Sequence, residues 1–163
     1  MGKCCVGTAT LKKAPTMNDL VKIFFHLKQD EDGYPEVSAE SVWAKSTETA
    51  DEYIVDNIPF FIREATIGDT LKALKEEGVL WFDSLRHRSG NSLIRIVFFE
   101  KSLKEKINEK LNAMGCSTEY SKDHSLLAVN IPAEVDLSDV RVYLQSEADL
   151  GNIDFEEPIL RQP

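Results

Sequence analysis

An α+β fold in two halves is predicted by two observations on this chain. Residues 18–90 carry short apolar runs separated by turn-forming residues, the pattern of a small antiparallel β-barrel-like half. Residues 91–163 read strand, helix, strand, strand, helix, strand, the order of a ferredoxin-like β-α-β-β-α-β half. At 163 residues the chain can hold one domain or two small ones packed together.

Residues 1–17 precede the first strand-like run and are read as a flexible N-terminal extension. Gly2, Cys4 and Cys5 hint at lipidation, but Val6 stands where the acylation pattern wants Ser or Thr, so the frayed-tail reading is preferred. Leu20 to Leu27, rich in apolar and aromatic residues, reads as the first strand. Gln29 to Pro35 is a turn-rich connection. Ser41–Lys45 and Glu52–Val55 are two further short strands.

Residues 69–78 admit two readings. Asp69 as a cap, with Leu71 and Leu74 at helical spacing and Gly78 as a stop, makes a short helix. Two strands around Glu76-Glu77-Gly78 make a hairpin, which is preferred because Val79-Leu80-Trp81-Phe82 follows the glycine at once.

Leu93 to Phe99 is nearly continuous in apolar residues, as in a strand buried on both faces. Ser102 and Glu105 are spaced as a capping box for a helix that buries Leu103, Ile107, Leu111 and Met114 and stops at Gly115. Ser117–Ser121 and Leu126–Ile131 form a hairpin. A second helix starts near Asp136 with Leu137, Val140 and Leu144 inward, and Ile153-Asp154-Phe155 is the last strand.

The composition is that of a globular protein, 42% hydrophobic and 29% charged. No apolar run approaches the roughly 20 residues that span a bilayer, and no signal-peptide core is present, so no membrane partner is expected. The three cysteines have no metal-like spacing and read as free thiols in a reducing, cytoplasmic compartment. The net charge of −9, from 28 acidic and 19 basic residues, argues against nucleic acid. It fits either a solubilising surface or a face that meets a basic partner.

No catalytic signature is legible, and neither a cofactor nor a metal is expected. His26, His87 and His124 are far apart, and His26 reads as a hydrogen-bonded structural histidine. Ser89, Asn91, Ser92 and Arg95 form a possible anion site, because glycine and small polar residues let backbone amides converge. The competing reading, preferred, is a tight turn with Arg95 ion-paired to a carboxylate such as Asp69. The segment Glu134 to Glu157 is densely acidic, opposed only by Arg141. Glu147, Asp149, Asp154, Glu156 and Glu157 are expected to contact a partner, together with the loop acids Asp30, Glu31 and Asp32.

Trp43, Asn57-Ile58-Pro59-Phe60-Phe61, Gly68-Asp69 and Ser89 to Arg95 together resemble the bacterial domain-of-unknown-function 4265 family, over about residues 20–150. The resemblance implies a small cytoplasmic bacterial protein, and relatives that look like immunity proteins of polymorphic toxin systems. The function so implied is stoichiometric occlusion of a cognate toxin domain with a basic cleft, such as a nuclease or ADP-ribosyltransferase. The alternative is a small-ligand or anion-binding regulatory module of ferredoxin-like type.

Overall fold

A computed structural model describes residues 19–163. The readings placed on residues 1–17, including Cys4 and Cys5, lie outside the described residues. What is described is a mixed α+β protein, mostly antiparallel sheet with two α-helices.

The first half contains β1 (Leu20–His26), β2 (Ala39–Ser46), β3 (Glu52–Val55), β4 (Thr70–Glu76) and β5 (Val79–His87). Each pairs antiparallel with the next, and a short parallel pairing, Ile23 with Leu80 and Phe24 with Trp81, joins β1 to β5. An odd number of strands alternating in direction leaves its first and last running the same way, which is why this one pairing is parallel. Period-two alternation turns Ile23, Phe25, Val42, Ala44, Leu71 and Ala73 inward onto one core.

Residues 70–87 are the hairpin rather than the helix. Glu77 (φ 51°) and Gly78 (φ 83°) both take left-handed conformations, the requirement of a two-residue turn that matches strand twist. The helical spacing of Leu71 and Leu74 is coincidental: Leu71 is fully buried and Leu74 is 43% exposed. His26, read as a hydrogen-bonded structural histidine, is exposed and lies flat on Trp81, with ring centroids 4.0 Å apart.

The second half runs β6 (Ser92–Phe98), α1 (Lys104–Ala113), β7 (Ser117–Ser121), β8 (Leu126–Ile131), α2 (Leu137–Asp149) and β9 (Ile153–Ile159). Its strands lie in the order β7-β8-β6-β9, all antiparallel. Ile107, Leu111, Leu137, Val140 and Leu144 of the helices pack with Ile94, Ile96, Leu127 and Val129 on one face. The other face presents Leu93 and Ala128 to Ile58, with Phe60 and Ile67 packed alongside, and so docks onto the first half. A sheet covered on both faces explains the unbroken apolar runs of β6 and β8.

The helix ends differ in how they are capped. Asp136 caps α2, accepting from the backbone N–H of Ser138 at 2.8 Å. The expected Ser102–Glu105 box does not form. Glu100 instead accepts from the backbone N–H and the hydroxyl of Ser102, and a 3-10 turn over Lys101–Leu103 leads into the helix at Lys104. A carboxylate two residues upstream reaches the free amide first, so the serine becomes a donor.

Cys116 follows α1 and is buried among Ile107, Leu111 and Leu127. Burial pushes its thiol up to about 11, where the reactive thiolate is scarce. With Cys4 and Cys5 replaced by serine, native protein at about pH 8 is expected to resist a disulfide reagent until denaturant is added. Labelling at the rate of a free thiol would contradict this.

Candidate functional site

The segment from Asp56 to Asp69 contains no strand or helix, yet much of it is buried. Buried backbone without regular structure must find other hydrogen-bond partners, and here side chains from both halves supply them. Glu40 of β2 accepts from the amides of Phe60, Phe61 and Ile62 at 2.6, 2.8 and 2.9 Å. Asn57 accepts from the amide of Trp43 at 2.8 Å. Glu119 of β7 accepts from the amide of Ile58 at 3.3 Å, and burial raises its carboxyl against the opposing pull of that bond. Asn91 donates to the carbonyl of Ile67 at 3.0 Å.

Two arginines complete the junction. Arg95 of β6 is 1% exposed, donates to the carbonyls of Pro59 and Ile62, and pairs with Glu156 at 3.4 Å. Burial lowers its pKa, and the Glu156 carboxylate opposes that effect. Asp69 is fully buried and accepts from the amide of Thr66, the amide and hydroxyl of Ser89, and both terminal nitrogens of Arg161, at 2.5 and 2.9 Å. The expected Arg95–Asp69 pair is therefore replaced by two pairs, Arg95–Glu156 and Arg161–Asp69. Arg161 is the third residue from the end of the sequence, and no local pattern marks it.

The four residues of the possible anion site are divided by these bonds. Ser89 is engaged with Asp69 and Ile67, and Asn91 with Ile67. Ser92 donates to Gln162 and accepts from the amide of Arg161, while Arg95 bonds Pro59, Ile62 and Glu156. Ser92 and Arg95 share no partner: Ser89, Asn91 and Arg95 stitch the two halves, while Ser92 ties β6 to the segment after β9. Gly68, at φ 86°, permits the stitching: an added Cβ would stand 3.0 Å from the Asn91 amide nitrogen.

The acidic residues also separate. Glu156 and Glu157 are neighbours on β9, yet Glu156 pairs with Arg63 and Arg95 while Glu157 makes a bidentate pair with Arg141 of α2 at 2.6 and 3.1 Å. Strand alternation sends them to opposite faces of the sheet. Glu147 accepts from Asn152 at 2.8 Å, and Asp149 from Gln145 at 2.8 Å. Asp154 is exposed. Asp30 orders its own loop by accepting from the amides of Asp32 and Tyr34, and Glu31 and Asp32 are exposed. The sequence brings these carboxylates together as one surface; the structure gives Glu156 and Glu157 arginine partners on opposite faces of the edge strand β9, and places the rest in the loop after β1, on α2 and on β9. Charged side chains and Pro158 on that strand discourage a further strand from adding there.

Between the halves, above Arg95, lies a cleft of about 210 Å³. Tyr34 and Phe61 meet edge to face across it at 6.0 Å, and His124 backs Phe61 at 4.8 Å. Burial raises the Tyr34 hydroxyl, and Glu156 adds to the effect. Among the described residues no group of three His, Cys, Asp or Glu is placed to hold a metal ion, and no helix is long and apolar enough to cross a membrane.

Comparison with known proteins gives a fold and a family. A crystal structure of a hypothetical protein from Neisseria gonorrhoeae is similar, with a TM-score of 0.75 at 19% identity, covering 88% of this chain and 97% of that one. At this identity the likeness is one of fold. No curated protein matches. The model of a family described only as a domain of unknown function matches residues 40–155, a span that takes in the tied segment, the Ser89–Arg95 turn and Glu119. The chain belongs to the DUF4265 family.

Proposed function

We propose that this protein is a non-catalytic binding protein that occludes a basic protein partner, in the manner of an immunity protein covering a toxin's cleft. The observation that carries the reading is the outer face of α2. Val142 is 71% exposed and Leu150, at the helix end, is 74% exposed. Asp139, Ser146 and Asp149 are exposed at helical spacing beside them. Large aliphatic groups ringed by carboxylates suit a partner that offers an apolar anchor pocket inside a basic rim. Beside this face, Arg141, Val142, Gln145, Phe155 and Glu157 line an open groove that widens the surface. The loop acids Glu31 and Asp32 are the second contact expected from the sequence.

The same reading treats the first half as a small barrel and the second as ferredoxin-like. The β1–β5 pairing supports the former, and the order β7-β8-β6-β9 with its two helical crossovers supports the latter.

The test is co-expression with the C-terminal domain of whatever large secreted protein a neighbouring gene encodes. A one-to-one complex and rescue of growth are expected. Reversing Asp139 and Asp149 to lysine is expected to slow association by about tenfold at low salt and to flatten its salt dependence. No complex and no protection overturns the function; an unchanged association rate overturns the interface.

A further inference from the structure

Opposite charges share the walls of the cleft between the halves. Lys28, Arg63 and Arg95 supply the cations, and Asp30, Glu64 and Glu156 the anions. A ligand of one sign meets repulsion here as well as attraction, whereas a compact ligand carrying both signs can satisfy each end. The volume of about 210 Å³ lies below the range of pockets that take drug-sized molecules, so the fitting class is a small metabolite.

The groups at the rim retain bonding capacity. Arg63 is 61% exposed at its side chain and pairs with Glu156 through Nη2. A guanidinium can present a second edge to a carboxylate in a two-point contact. Asp30 orders its loop through Oδ1, and Glu64 accepts from the Arg63 amide through Oε2, so each carboxylate keeps its other oxygen for an ammonium group. The Tyr34 and Phe61 rings form an apolar wall. Beneath them Arg95, fully buried and bonded to two backbone carbonyls, makes a rigid floor.

We propose that this cleft binds a free α-amino acid with an apolar or aromatic side chain. The carboxylate pairs with Arg63, the ammonium group with Asp30 or Glu64, and the side chain rests against Tyr34 and Phe61. The site is separate from the outer face of α2 proposed to meet a protein partner, so either assignment can fail without the other.

Isothermal titration of the full chain with phenylalanine, leucine, glutamate and lysine tests the site, with succinate, putrescine and inorganic phosphate as ligands of one sign. Phenylalanine or leucine is expected to bind at one site per chain and to raise the melting temperature. Arg63→Ala, at an exposed position, is expected to weaken that binding by at least about tenfold. Tyr34→Ala serves as a second variant, with the loss expected to be larger for phenylalanine than for glutamate. Absence of saturable heat with every amino acid overturns the site. Tighter binding of succinate, putrescine or phosphate overturns the zwitterion assignment, and wild-type affinity in both variants overturns the location.

Discussion

Asp69→Ala is expected to destabilise the protein by about 3–5 kcal/mol, the cost of leaving one partner of a buried pair uncompensated. The carboxylate is fully buried and receives both terminal nitrogens of Arg161, the amides of Thr66 and Ser89, and the Ser89 hydroxyl. Its removal strands an arginine, the buried amide of Thr66 and the half-buried amide of Ser89 at once. For a domain whose whole stability is on the order of 5–15 kcal/mol, that is a large fraction. Urea denaturation checks it, and Asp69→Asn separates charge from hydrogen bonding, since the amide keeps one acceptor and lacks the charge. A midpoint for Asp69→Ala equal to wild type would show that the cluster contributes no net stability.

Arg95→Ala is expected to cost a similar amount, on the order of 3–5 kcal/mol, by a different route. The substitution empties a large volume in the junction and leaves the carbonyls of Pro59 and Ile62 without their donor. Glu156 is less affected, because it keeps Arg63 and is partly exposed. Arg95→Met restores most of the packing but not the donors, so it should fall between wild type and alanine. Hydrogen exchange at the amides of Phe60, Phe61 and Ile62 gives an independent readout. Those amides are held by Glu40, and they should exchange faster once the carbonyl side of the segment is released. Unchanged exchange together with an unchanged denaturation midpoint would remove Arg95 from the junction's energetics.

The parts of the fold that were legible rest on short-range rules. The apolar and aromatic run from Leu20 to Leu27 marked β1, the Asp136 cap marked the start of α2, and Gly115 marked the end of α1. The glycine at position 78, followed at once by a strongly strand-forming run, selected the hairpin over the helix. The capping box at Ser102 failed for an equally local reason: Glu100 competes for the same amide, and motif spacing carries no information about a competitor outside the motif.

The candidate site was less legible. Arg95 stood out as a charge inside an apolar strand, and the need for a carboxylate partner followed from the cost of burying it. Which carboxylate could not follow from that cost, because the answer depends on which strand lies beside β6. That strand is β9, and it brings Glu156 from 61 positions away. Arg161 reaches Asp69 across 92 positions and has no signal in its own neighbourhood. The acidic C-terminal stretch looked like one surface because adjacent positions in a sequence look adjacent in space. On a strand they alternate, so Glu156 enters the junction and Glu157 turns to the helix.

By itself, then, the sequence determined the α+β class, the order of the elements, the inward faces of the two helices and the sign of the net charge. The elements and their faces depend on residues within a turn or two of one another, and the net charge is a sum that needs no contacts. Only the tertiary structure decided which charges neutralise which, that Ser89, Asn91 and Arg95 stitch the halves together, and that a cleft of mixed charge opens between them. Those depend on strand order and on the packing of two sheets, which bring together side chains that no local period relates.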